Sequence, residues 1–202
     1  MVYEAVGYNL FVYFWALKLI FAKLMNNTSE QYNAVIKICK DIFLKKNADY
    51  GPSWRVLRPS SLTDQIFIKA QRIRTIEQKG ESRIEEDITQ EFIGIVNYCI
   101  ITLIQLELPS ATGAESIEVE NIESLYDKHA QKAKALMEMK NHDYGEAWRD
   151  MRVSTFTDMM LMRVLRIRQI ENNQGKTLAS EGVEANYYDM INYAVFALIH
   201  LK

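Results

Sequence analysis

One polar stretch occurs twice in this chain at a fixed distance. Asn47-Ala48-Asp49-Tyr50-Gly51 is followed by Trp54, Arg55 and Arg58, and Asn141-His142-Asp143-Tyr144-Gly145 by Trp148, Arg149 and Arg152. The offset of 94 residues also carries Asp64 onto Asp158, Arg72 onto Arg166, Arg74 onto Arg168 and Glu77 onto Glu171. After one inserted residue, Asn97-Tyr98 falls on Asn192-Tyr193. Five residue types repeated at constant spacing are hard to obtain by chance, so the chain reads as a tandem duplication of one unit. Neither copy has an apolar face large enough to be stable alone. Each should therefore bury that face against the other, as a pseudo-two-fold pair.

The unit is helical. Only 3 Pro and 8 Gly occur in 202 residues, and apolar residues recur at helical rather than alternating spacing. Thr28-Ser29-Glu30 caps a first helix whose buried stripe is Tyr32, Val35, Ile36, Cys39, Ile42 and Phe43. It should stop near Asn47; its counterpart should run from about Ile122 to Lys140. The repeated motif then lies in the turn after each helix, with Gly51 and Gly145 free to take positive φ. Ser61-Leu62-Thr63-Asp64 and Thr155-Phe156-Thr157-Asp158 read as starts of second helices ending near Glu77 and Glu171, with Asp64 and Asp158 as caps or dipole partners. Arg74 and Glu77 read as a surface pair. Third helices are expected from about Ile84 to Leu106 and from about Gly182 to Leu201. The fold class is all-α: two repeated three-helix units in a pseudo-two-fold helical bundle. The divisions are an extension over 1–27, a first repeat over 28–107, a linker over 108–120 and a second repeat over 121–202.

Ala5 to Ala22 carries Lys18 as its only charge and is nearly long enough to span a bilayer. Three readings stand open: a membrane anchor, an apolar helix packed on the fold, or translated sequence upstream of a start at Met25. Neither repeat contains an equivalent, so residues 1–24 are expected to be dispensable for folding. Cys39 and Cys99 sit in apolar runs without metal-ligand spacing, which favours buried free thiols in a reducing cytoplasm. A net charge of −2 argues against a general nucleic-acid coat. The expected location is cytoplasmic, or membrane-anchored if the first segment inserts.

Polar residues on the expected helices give the candidate site. Lys69 with Arg72, and Arg163 with Arg166, are three residues apart and so share a face that suits phosphates. Glu181, Asp189 and Asn192 fall on one stripe of the last helix, amid apolar neighbours. Such groups need partners: either an arginine, or a hard cation such as Mg²⁺. The first repeat has Glu86, Gln90, Gly94 and Asn97 on that stripe and so lacks the acid that Asp189 supplies. A divalent cation is therefore expected chiefly in the second repeat.

KN-x-DYG, then [KR]-x-x-R, then E-x7-D-x-x-NY together resemble the nucleotide-modification-associated family of phages and bacteria. The elements are Lys140 to Gly145, Arg163 to Arg166, and Glu181 to Tyr193. The first copy runs through Lys46 to Gly51, Lys69 to Arg72, Glu86 and Asn97-Tyr98. The resemblance covers nearly all of Thr28 to Leu201. That family is similar in layout to the all-helical nucleoside-triphosphate pyrophosphatases of the MazG and dimeric dUTPase type. By that resemblance the tandem chain would supply an internal pseudo-dimer. Asp143, Glu181 and Asp189 would hold Mg²⁺. Lys46, Asn47, Tyr50, Lys69, Arg72, Lys140, Asn141, Tyr144, Arg163, Arg166, Asn192 and Tyr193 would contact nucleotide. The chain departs from the pyrophosphatases in lacking an ExxE then ExxD set. Gln90 and Ala185 stand where a further acid is expected, and Arg163 replaces the lysine seen at Lys69.

Two functions follow as expectations. One is Mg²⁺-dependent hydrolysis of a (deoxy)nucleoside triphosphate to monophosphate and pyrophosphate. The other is a non-catalytic nucleotide-binding or assembly module beside a nucleic-acid-modifying system, without direct duplex binding and with further homo-oligomerisation open. A helical scaffold without ligand is the bland third. No Gly-rich phosphate loop, HExxH, Ser-His-Asp or CxxC pattern supports another enzyme class.

Overall fold

A computed structural model describes residues 27–80, 87–109, 118–179 and 181–202. The described residues form six α-helices and two short 3₁₀ turns. The first repeat gives α1 (Thr28–Tyr50), a 3₁₀ turn (Ser53–Val56), α2 (Pro59–Lys79) and α3 (Ile88–Glu107). The second repeats the series as α4 (Ile122–Tyr144), a 3₁₀ turn (Ala147–Asp150), α5 (Val153–Asn172) and α6 (Val183–His200). The apolar stretch over 5–22, Glu86 and most of the expected linker lie outside the described residues.

Helix ends differ from expectation in two places. Asn27, rather than Thr28, caps α1: its side chain accepts from the Ser29 and Glu30 amides at 3.1 and 3.4 Å. Thr28 is already helical and buried. More consequentially, α1 and α4 run three to four residues further than read. Asn47 to Tyr50 and Asn141 to Tyr144 are thus the last helical turn, not a following loop. Lys, Asn, Ala and Asp are all tolerated there; only the glycine stops the helix, Gly51 at φ 65° and Gly145 at φ 61°.

The second helices also begin earlier. Arg58 and Arg152 occupy the N-cap positions without a side-chain cap, and Pro59 opens α2. Asp64 and Asp158 are therefore helix-interior residues, and the capping role expected of them does not hold. Each instead faces the other repeat: Asp64 pairs with Arg168 at 2.7 Å and Asp158 with Arg74 at 3.8 Å. The two pairs are related by the repeat itself, so Arg74 reaches across rather than pairing with Glu77.

The two repeats share one core. α3 packs on α2 within its repeat and on α6 across it; α6 does the same with α5 and α3, and α2 meets α5. α1 and α4 each lie on both third helices. Leu62, Ile66, Phe92, Ile100, Phe156, Tyr187 and Ile191 are fully enclosed. α3 is long and apolar enough to cross a membrane, but two thirds of its most apolar window, 67%, is buried among its neighbours. Its apolar surface is thus consumed by the bundle core.

Polar bonds across the core repeat the same symmetry. Tyr32 donates to Asn192 Oδ1 and Tyr126 donates to Asn97 Oδ1, both at 2.8 Å. Asn97 Nδ2 donates to the Cys39 carbonyl at 3.0 Å, and Asn192 Nδ2 to the Ala133 carbonyl at 3.1 Å. Each asparagine thus joins its own repeat to the other one. A buried carboxamide with two matched partners is stable where an unmatched one would be costly. This is the pseudo-two-fold bundle that the duplication implies.

Candidate functional site

The family-like residues of the first repeat surround a cavity of about 430 Å³. Phe43, Lys46, Asn47 and Tyr50 enter it from the last turns of α1. Their spacing of three, four and seven puts them on one helix face, which explains why the motif is spread as it is. Gly51 then ends α1, and the 3₁₀ turn folds Trp54 inward to 8% exposure. Lys69 comes from α2; Gln90, Glu91, Gly94, Asn97 and Tyr98 come from successive turns of α3. The lining combines aromatic faces, a carboxamide and cations in one concavity, the mixture typical of small-molecule sites.

Its charge pattern is specific. Glu91, 5% exposed, accepts from Lys69 at 3.1 Å and from Arg72. The Lys69 chain crosses directly over Gly94: a Cβ there would lie 2.6 Å from Lys69 Cε. Gly94 is thus a close-approach glycine. Lys69 Nζ also stands 6.0 Å from the Tyr98 ring centre. Lys46, by contrast, has no ion-pair partner among the described residues. Asn47 Oδ1 is buried and without a hydrogen-bond partner.

The second repeat arranges the same elements differently. Asp189 stands where Gly94 does, and Asn186 where Glu91 does. Asp189, 6% exposed, accepts from Lys140 at 2.5 Å and from Arg163 at 2.6 Å. Arg163 also donates to Asn186 Oδ1 at 3.3 Å. Lys140 and Arg163 are the counterparts of Lys46 and Lys69. The carboxylate has therefore moved one helical turn between copies and engages a different pair of cations. Asn141 turns its Nδ2 to Met137 Sδ at 3.1 Å. Trp148 stacks on Phe196 at 4.3 Å between ring centres. Arg166 is exposed and, together with Arg163, Gln169, Glu181 and Asn186, lines a more open hollow of about 640 Å³.

The residues expected to hold Mg²⁺ do not converge. Asp143 is 76% exposed in its side chain and meets His142 at 3.1 Å. Glu181 precedes α6, whose N-cap is Gly182, and is exposed, so it does not share the stripe of Asp189. Both oxygens of Asp189 are held by cations. Among the described residues no group of three carboxylate, histidine or cysteine side chains is placed to hold a metal ion. The donor set therefore does not fit the expected cation, and no chemical step is derived through one. Asn192 serves the core bond to Tyr32 rather than an open site. Tyr144 is 77% exposed and Tyr193 half-buried against the core. The more enclosed of the two hollows, and the one with the aromatic lining, is in the acid-poor first copy.

Glu91 is the residue that sequence reasoning missed. The stripe through Gln90, Gly94 and Asn97 passed beside it. The one-residue insertion sets Glu91 opposite Asn186 and Gly94 opposite Asp189, and that reciprocal exchange was the signal available.

The Nucleotide modification associated domain 1 family matches twice, over residues 46–106 and 140–201. The two matches cover more than half of the chain, which belongs to this family. Each match starts at the lysine of the repeated motif, Lys46 or Lys140, and the first contains the pocket lining from Lys46 onward. No curated protein and no solved structure gives a match.

Proposed function

We propose that this is a nucleotide-binding protein and that the first-repeat cavity is its site. The carrying observation is the convergence of Lys46, Asn47, Tyr50, Trp54, Lys69 and Tyr98 on one concavity within the first family match. Aromatic faces there suit a base, for which stacking is worth roughly 1–3 kcal/mol. Lysines at its edge suit phosphate. The unpartnered Asn47 oxygen offers an acceptor to an exocyclic amine or ribose hydroxyl. Binding without turnover is the reading favoured here, because the only buried acid among the described residues that line the cavity, Glu91, is already engaged by two cations.

Calorimetric titration with ribo- and deoxyribonucleotides, with and without Mg²⁺, tests this. Saturable binding at micromolar to millimolar concentration, without pyrophosphate release, is expected. Mg²⁺-dependent pyrophosphate release would restore the hydrolase reading; no binding by any nucleotide would contradict the proposal.

A further inference from the structure

The second repeat carries, in its own side chain, an anion bound between the two cations that the first repeat leaves unbridged. Asp189 lies within 2.6 Å of both Lys140 and Arg163. Their counterparts, Lys46 and Lys69, both line the first-repeat cavity, and Gly94 occupies the counterpart position of Asp189. From this correspondence we infer that the ligand's phosphate sits over Gly94 between Lys46 and Lys69. We likewise infer that Asp189 is a built-in plug that closes the same subsite in the second repeat. This rests on the nucleotide reading above and sharpens it: one anionic group per chain, held by two lysines, in the first repeat only.

Three observations agree. Gly94 has no side chain, and the atoms nearest the position its Cβ would take are Cε, Cδ and Nζ of Lys69, at 2.6 to 3.0 Å. Lys46 is without an ion-pair partner among the described residues, whereas Lys140 is drawn onto Asp189. Glu91, one turn back on α3, pairs with Lys69 at 3.1 Å and lines the same cavity. A carboxylate and a phosphate oxygen satisfy the same donors, so Asp189 reports the geometry an incoming phosphate would need. Two lysines match the charge of a single phosphate group; a nucleoside monophosphate is the class that fits.

The test exchanges the turn between copies. Glu91→Asn with Gly94→Asp gives the first repeat the second one's pair; Asn186→Glu with Asp189→Gly does the reverse. Nucleoside 5′-monophosphates and the matching nucleosides are titrated into each variant, with melting curves to confirm folding. The native chain should bind one monophosphate, about tenfold or more tighter than the nucleoside. The first exchange should remove that preference, as should Lys46→Gln alone. The second should raise the stoichiometry to two. An unchanged preference in the first exchange and in Lys46→Gln, or a stoichiometry of one in a folded second exchange, would overturn the inference. If nucleosides bind but monophosphates gain nothing, the nucleotide pocket survives and the subsite fails. If neither binds, the function proposed above fails, and inorganic phosphate decides the subsite. Protection of Lys46 and Lys69 from amine acetylation would sustain it, and equal labelling would end it.

Discussion

At the scale of single residues, His129 shows how burial can make stability depend on pH. It is 5% exposed, with Nδ1 at 2.8 Å from Tyr188 Oη and Nε2 at 3.2 Å from Glu107. A neutral ring can accept from the tyrosine at Nδ1, while Nε2 faces Glu107 without hydrogen-bond geometry. Burial lowers its pKa, against the raising influence of Glu107; Lys128 and Lys132 lower it further. A histidine whose folded pKa is depressed supplies stability that is complete above its unfolded value of 6.5 and is lost as pH falls through the folded value. The melting temperature of the native chain should therefore fall more steeply from about pH 7 to about pH 5 than that of His129→Gln. Parallel curves would show that the ring does not titrate against folding. At this scale the sequence was a partial guide. Trp54, Trp148 and Lys69 were legible from their spacing, and Lys46 from the family resemblance. The partners of Asp64, Asp158 and Asp189 were not, because each lies on another helix.

At the scale of elements, helix periodicity revealed all six helices, and errors gathered at their ends. The repeated motif was read as a loop because asparagine, aspartate and glycine favour turns. In the structure the helix consumes the Asn and Asp, and the glycine alone stops it. This matters to function, since only a helical last turn puts Lys46, Asn47 and Tyr50 on one face. Gly51 has φ 65°, and a Cβ there would meet open space. Gly51 has ψ −170° as well, a region essentially confined to glycine, so the cost of Gly51→Ala should come from backbone strain alone, roughly 1–3 kcal/mol. Chemical denaturation should show a loss of that size with an unchanged m-value. A neutral or stabilising effect would mean that the end of α1 is not held in this conformation.

At the scale of the molecule, duplication makes an internal pseudo-dimer whose halves have diverged. The constant offset forecast the bundle, because a repeated apolar face has its own copy as partner. The offset could not say which copy holds the aromatic-lined cavity. That depends on whether a carboxylate sits at the counterpart of Gly94 or one turn earlier, and on which lysine it attracts. Symmetric bonds such as Tyr32 to Asn192 and Tyr126 to Asn97 hold the frame constant while the two sites differ.

The central claim, that one copy binds and the other frames it, is tested most directly by a matched pair of variants. Tyr98 and Tyr193 are equivalent by the repeat and both only half-buried, but only Tyr98 lines the first-repeat cavity. Tyr98→Ala and Tyr193→Ala are titrated calorimetrically with the nucleotide that the native chain binds best. The account predicts about a tenfold or greater loss of affinity for Tyr98→Ala, from lost stacking, and little change for Tyr193→Ala. Equal losses, or a loss confined to Tyr193→Ala, would contradict it.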